Sequence, residues 1–68
     1  MNKALARAIK IIGGQAAAAE KLGVSQPTIW YWLHQAREIP AARLAGIEKA
    51  TEGKVTRKQL RPSLFKVR

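Results

Sequence analysis

Gln15-Ala16-Ala17-Ala18-Ala19-Glu20-Lys21-Leu22-Gly23-Val24-Ser25-Gln26-Pro27-Thr28-Ile29-Trp30-Tyr31-Trp32-Leu33 is the stretch that decides the fold. Two short helices can cross steeply only if their backbones come close, which needs a small residue at the contact. Ala19 supplies it. The turn between them needs a residue that accepts positive φ, and Gly23 stands four positions later. Val24 follows as a plug for the corner, and Ser25 can cap the next helix. Pro27 is tolerated in that helix's first turn. Ile29 and Trp32 lie three apart and face inward with Ala18 and Leu22. An ordinary αα-hairpin with an alanine-rich helix is the alternative, but it does not require all of these residues in register. The stretch therefore predicts a helix-turn-helix, with helices over residues 15–22 and 26–34.

Working outward, glycine and proline divide the remainder. Asn2 can cap a first helix over residues 3–12, with Leu5, Ile9 and Ile12 on one face, and Gly13-Gly14 ends it. Pro40 suits the first position of a fourth helix running to about Thr51, because its missing N–H has no intrahelical partner to lose. That helix is expected to bury Leu44, Ile47 and Ala50 before Gly53 closes it. Thr56-Arg57-Lys58-Gln59 has the form of a capping box and opens a short fifth helix that Pro62 ends. A strand at residues 54–56 is possible but short. The fold class is all-α, with about five short helices. Residues 1–62 form one domain and residues 63–68 a basic tail.

Composition narrows the function. The 68 residues include no cysteine and one histidine, so neither disulfides nor a structural zinc site is expected to stabilise the core. No cofactor is implied. Thirteen Lys and Arg against four acids give a net charge of +9, which favours polyanions. The charge sits at the ends. Lys3, Arg7 and Lys10 give the first fourteen residues +3, and Lys54, Arg57, Lys58, Arg61, Lys66 and Arg68 give the last fifteen +6. The middle is neutral. No segment approaches the roughly 20 apolar residues needed to span a bilayer. Arg7 and Lys10 interrupt what would be a signal-peptide core, so a cytoplasmic, non-membrane protein is expected.

With Ile29 and Trp32 inside, the outward side of the third helix shows Pro27, Tyr31 and His34, flanked by Gln26 and Trp30. Glutamine can bind adenine through two hydrogen bonds, and apolar or aromatic surface can meet the thymine methyl. Gln15 begins the second helix, where backbone N–H groups attract phosphate. Arg37, just beyond the third helix, could grip the DNA backbone. The candidate DNA-binding set is Gln15, Ser25, Gln26, Pro27, Thr28, Trp30, Tyr31, His34 and Arg37. Other roles stay open. Trp30 could pack on the first or fourth helix or join a dimer contact, His34 could be a solvated helix end, and Arg37 could neighbour Glu38 on a solvated loop.

Gly13-Gly14-Gln15, Leu22-Gly-Val-Ser-Gln-Pro27, Trp32, Arg37, Ile39-Pro40-Ala41, Ile47-Glu-Lys-Ala-Thr51, Gly53 and Leu60-Arg-Pro62 resemble the YdaS-type Cro-like regulators of prophages, over about residues 5–65. The resemblance implies a lambda-repressor-like fold, operator DNA as partner and repression of transcription. It also implies that Gln15 and Gln26 match glutamines that work at the DNA in similar repressors. One position departs from the pattern: the family usually has glycine where Gln35 stands. Glutamine in a left-handed conformation costs about 1 kcal/mol, so either the third helix runs on or its exit differs.

No paired carboxylates, activated nucleophile or glycine-rich phosphate loop is present, so an enzyme is not expected. A membrane-active cationic helix is excluded by the breaks at Gly13-Gly14, Gly23, Pro40 and Gly53. The alternative of a different class is a protein-interaction module, such as an antitoxin that neutralises a partner toxin. A homodimer on a two-fold symmetric operator is expected, since one recognition helix contacts too few base pairs for selectivity. Leu60, Leu64, Phe65 and Val67 either supply that dimer contact or seal the monomer core.

Overall fold

Asn2 sets the place where the chain first turns helical. In the computed structural model, which describes residues 2–35 and 39–62, its Oδ1 accepts the Leu5 N–H at 2.9 Å and opens α1 (Lys3–Ile12). Its Nδ2 donates to the Leu60 carbonyl at 3.3 Å and its backbone N–H to the Leu33 carbonyl at 3.4 Å. One side chain and its backbone thus join the start of α1 to the ends of two later helices. Gly13, at φ 124°, ends α1.

The next two helices are α2 (Gln15–Leu22) and α3 (Gln26–His34), joined through Gly23 at φ 72°, ψ 32°. This left-handed residue lets the Val24 N–H reach back to the Ala19 carbonyl at 3.0 Å. Ala18 and Ala19 are buried, so small side chains stand where α3 comes against α2. The Ser25 side chain caps α3 by accepting the Thr28 N–H. The helix-turn-helix expected from the sequence is present with the same boundaries.

α4 (Ala41–Ala50) begins one residue later than expected. Pro40 has φ −54°, which suits a helix, but ψ 134°, which does not, so it is the residue before the first turn. α5 (Arg57–Leu60) opens with the full capping box, Thr56 and Gln59 each bonding the other's backbone N–H. No strand forms at residues 54–56. There the Lys54 N–H closes a turn onto the Thr51 carbonyl, and Thr56 already caps α5.

Leu5, Ala8 and Ile9 of α1 meet Ala18, Ala19, Ile29, Trp32, Leu33, Leu44, Ile47 and Leu60 in one core, joined by Ile39 and Val55 from the connecting segments. Ile12, Leu22 and Ala50, assigned inward by helical spacing, and Val24, assigned to the corner, are only half-buried. Ile12, Leu22 and Ala50 are the last residues of α1, α2 and α4, and Val24 lies in the turn after α2. Leu64, Phe65 and Val67 lie outside the described residues.

The exit of α3 resolves the question posed by Gln35. Its φ of −113° and ψ of −39° are right-handed, and its N–H bonds the Tyr31 carbonyl at 2.8 Å. Gln35 itself is therefore not left-handed, so the glutamine is under no backbone strain there.

Candidate nucleic-acid interface

Burial of Ile29, Trp32 and Leu33 fixes the rotation of α3 and leaves the other side to solvent. Trp30 is 47% exposed and Tyr31 54%. Gln26, Pro27 and His34 are exposed on the same helix. Two large aromatics thus stand exposed side by side on one short helix. The Trp30 and His34 rings, one turn apart, have centroids separated by 4.8 Å and planes inclined at 43°.

Gln15, Gln26, Pro27 and Trp30 line one shallow recess. The first residue of α2 and the first turn of α3, eleven positions apart in sequence, are brought together by the Gly23 corner. Gly14, the residue before α2, has no side chain to cap it, and Pro40 makes no side-chain cap for α4, whereas Asn2, Ser25 and Thr56 cap α1, α3 and α5. The first N–H groups of α2 therefore keep their capacity for an external acceptor, and the helix dipole favours an anion there. That feature is legible only in part from sequence. Gly14 signals it, but the glycine serves the preceding turn equally well.

Ser25 and Thr28 hold each other, with Ser25 Oγ and Thr28 Oγ1 2.8 Å apart. The Ser25 hydroxyl also accepts the Thr28 N–H, so the pair secures the start of α3, with Ser25 exposed and Thr28 partly buried. Arg37 lies outside the described residues. Eight of the nine candidate residues are thus described, and all eight belong to α2, α3 or the Ser25 cap.

The basic end segments are partly engaged in the fold. Arg57 Nε pairs with Glu48 Oε1 at 3.0 Å. Arg61 Nη1 donates to the Ile39 carbonyl at 3.1 Å, and Arg7 Nη2 to the Lys54 carbonyl at 3.1 Å. Lys3, Lys10, Lys54 and Lys58 remain exposed. Among the described residues no group of three His, Cys, Asp or Glu side chains could hold a metal ion, and no helix is long and apolar enough to cross a membrane.

The model of a family described as "Bacterial toxin YdaS" matches residues 5–67. A protein of Escherichia coli (strain K12) named as a transcriptional regulator, YdaS, is 41% identical over 63 residues, covering 93% of this chain and 64% of that protein. The chain therefore spans less than two thirds of that relative's length. Among solved structures, the Cro protein from the prophage element Xfaso 1 of Xylella fastidiosa strain Ann-1 superposes with a TM-score of 0.87 at 39% identity, over 98% of this chain and 100% of that one. These relatives carry the names of regulators, not of enzymes.

Proposed function

The chain belongs to the YdaS family, and on that premise we propose that it is a Cro-like transcriptional regulator that binds double-stranded operator DNA. In this reading α3 lies in the major groove. The observation that carries it is the solvent face of α3, where Gln26, Trp30, Tyr31 and His34 stand exposed beside the uncapped start of α2. Polar and aromatic groups on a neutral helix suit base edges, while the helix start and the exposed lysines suit phosphates. The names of the relatives, a regulator and a Cro protein, support the same assignment.

Residues 1–62 act as the DNA-binding domain, with residues 63–68 and Arg37 adding phosphate contacts. Two chains bind a two-fold symmetric site, placing their α3 helices in major grooves about 34 Å apart. Titration of the operator-containing duplex at several salt concentrations tests the assignment. With about six phosphate contacts, log affinity falls against log salt with a slope near −5. Sedimentation of the saturated palindromic duplex shows two chains bound. A flat salt response refutes DNA binding, and one chain per duplex with a single protected half-site refutes the symmetric arrangement.

The family's description gives weight to a second reading, in which the chain acts on a protein. That description speaks of a toxin rather than of a toxin's neutraliser, so it lends nothing to an antitoxin role as such. Equal affinity for duplex DNA and for an acidic polymer without bases would favour the protein reading.

A further inference from the structure

A second concave surface lies away from the recognition face. It is an open groove of about 790 Å³ between the end of α1, the end of α2, α4 and the turn that follows α4, and no α3 residue lines it. Its apolar lining comes from Ile11, Ile12 and Leu22, with Ala42 and Ala50 of α4. Ile11 is 38% exposed and, apart from Trp30 and Tyr31 on α3, is the one exposed large hydrophobic residue among the described residues. Gly46 of α4 also lines the groove. The charges around it are Lys21, Arg43, Lys49 and Lys54, all exposed, against the single acid Glu52.

We propose that this groove is a docking site for an acidic amphipathic helix of a partner protein. Apolar side chains on such a helix would cover Ile11, Ile12 and Leu22, and its carboxylates would meet the four cations. Charge selects this occupant over the others. The chain's own residues 63–68 carry Lys66 and Arg68 and no acid, so the cations repel them. A second copy brings a net charge of +9 and four glutamates, of which Glu48 is already paired with Arg57. Nucleic acid satisfies the cations, but its phosphodiester chain has nothing apolar to lay on Ile11.

The site is also compatible with the recognition face. Gln15 and Leu22 stand at opposite ends of α2, about 10 Å apart along its axis, so the groove and the recess beside α3 are separate surfaces. The proposal does not depend on α3 reading DNA.

The probe is a synthetic amphipathic helix of about four turns, with leucine at helical spacing on one face and glutamate elsewhere. It is titrated into the isotopically labelled full chain and followed by amide chemical shifts. The expected result is saturable shifts of the ends of α1 and α2 and of α4, with the α3 amides unmoved. Arg43→Glu combined with Lys49→Glu weakens binding at least about tenfold, and Ile11→Ser about fivefold, with far-ultraviolet circular dichroism unchanged. Any of four results overturns the proposal: no saturable shift, equal binding by a peptide with serine for leucine, shifts centred on α3, or displacement of the peptide by duplex DNA. Loss of DNA binding alone leaves these measurements intact, so the two readings fail separately.

Discussion

The Thr51 hydroxyl accepts the Val55 N–H at 3.1 Å in the buried turn after α4. The same oxygen lies 3.0 Å from the Glu48 carbonyl and 3.3 Å from the Val55 carbonyl, to either of which its proton can go. Thr51 is the buried polar side chain of the described core, 1% exposed. Its hydroxyl replaces the hydrogen bonds that an irregular segment cannot make with itself. Thr51→Val keeps the shape and leaves the buried Val55 N–H without a partner. The expected loss is about 1–3 kcal/mol of stability, read as a lowered urea midpoint, whereas Thr51→Ser loses less.

Gly23 and Gly46 make a contrasting pair. A Cβ built at Gly23 meets nothing within 4 Å, so space is not the constraint; its φ of +72° is. Gly23→Ala is expected to cost about 1 kcal/mol, and Gly23→Asn less, because asparagine tolerates the left-handed region better. Gly46 is inside α4 without a positive φ, and a Cβ there would sit 3.8 Å from Leu22 Cδ2, an ordinary contact. Gly46→Ala is therefore expected to stabilise by about 0.4–1 kcal/mol. Urea unfolding of the two alanine variants, shifting in opposite directions, checks the pair.

The outer and inner faces of α3 are expected to respond differently to truncation. Gln26→Ala costs about 1–3 kcal/mol of binding at one base position and relaxes selectivity there. Trp30→Ala and Tyr31→Ala lose operator affinity while the helical circular dichroism signal persists. Trp32→Ala instead removes a buried aromatic and costs about 3–5 kcal/mol of stability, enough to unfold a domain of this size. Unchanged operator affinity in all three outer variants would place DNA recognition on another surface.

The sequence made the helix-turn-helix legible because its determinants are local. Ala18 and Ala19, Gly23, and the Ser25 cap each act within a few residues of themselves, and their spacing carries the geometry. The candidate interface inherits that legibility: once Ile29 and Trp32 are inside, the exposed positions of α3 follow from helical period. Long-range contacts were less visible. Ile39 and Val55 belong to no helix, so no periodicity marks them as core. Thr51 is polar and reads as a helix end, and its burial depends on Val55 folding back onto it. Arg61 counts as part of the basic end segment, yet its guanidinium bonds the Ile39 carbonyl, 22 positions away. The departure at Gln35 was visible as a position, but only the backbone says that Gln35 is right-handed.

The two indoles of α3 are adjacent but one in sequence and live in different media. Trp32 is 6% exposed and Trp30 47%. The fluorescence of the chain is therefore a sum of two reporters with separate meanings. An aqueous quencher such as acrylamide reaches Trp30 and largely spares Trp32, so a bound macromolecule on α3 registers as protection of the quenchable fraction. Unfolding registers as a red shift of the shielded one. A Trp32→Phe chain that still folds would isolate the first signal, giving a label-free readout of what sits on α3 from a residue already in place.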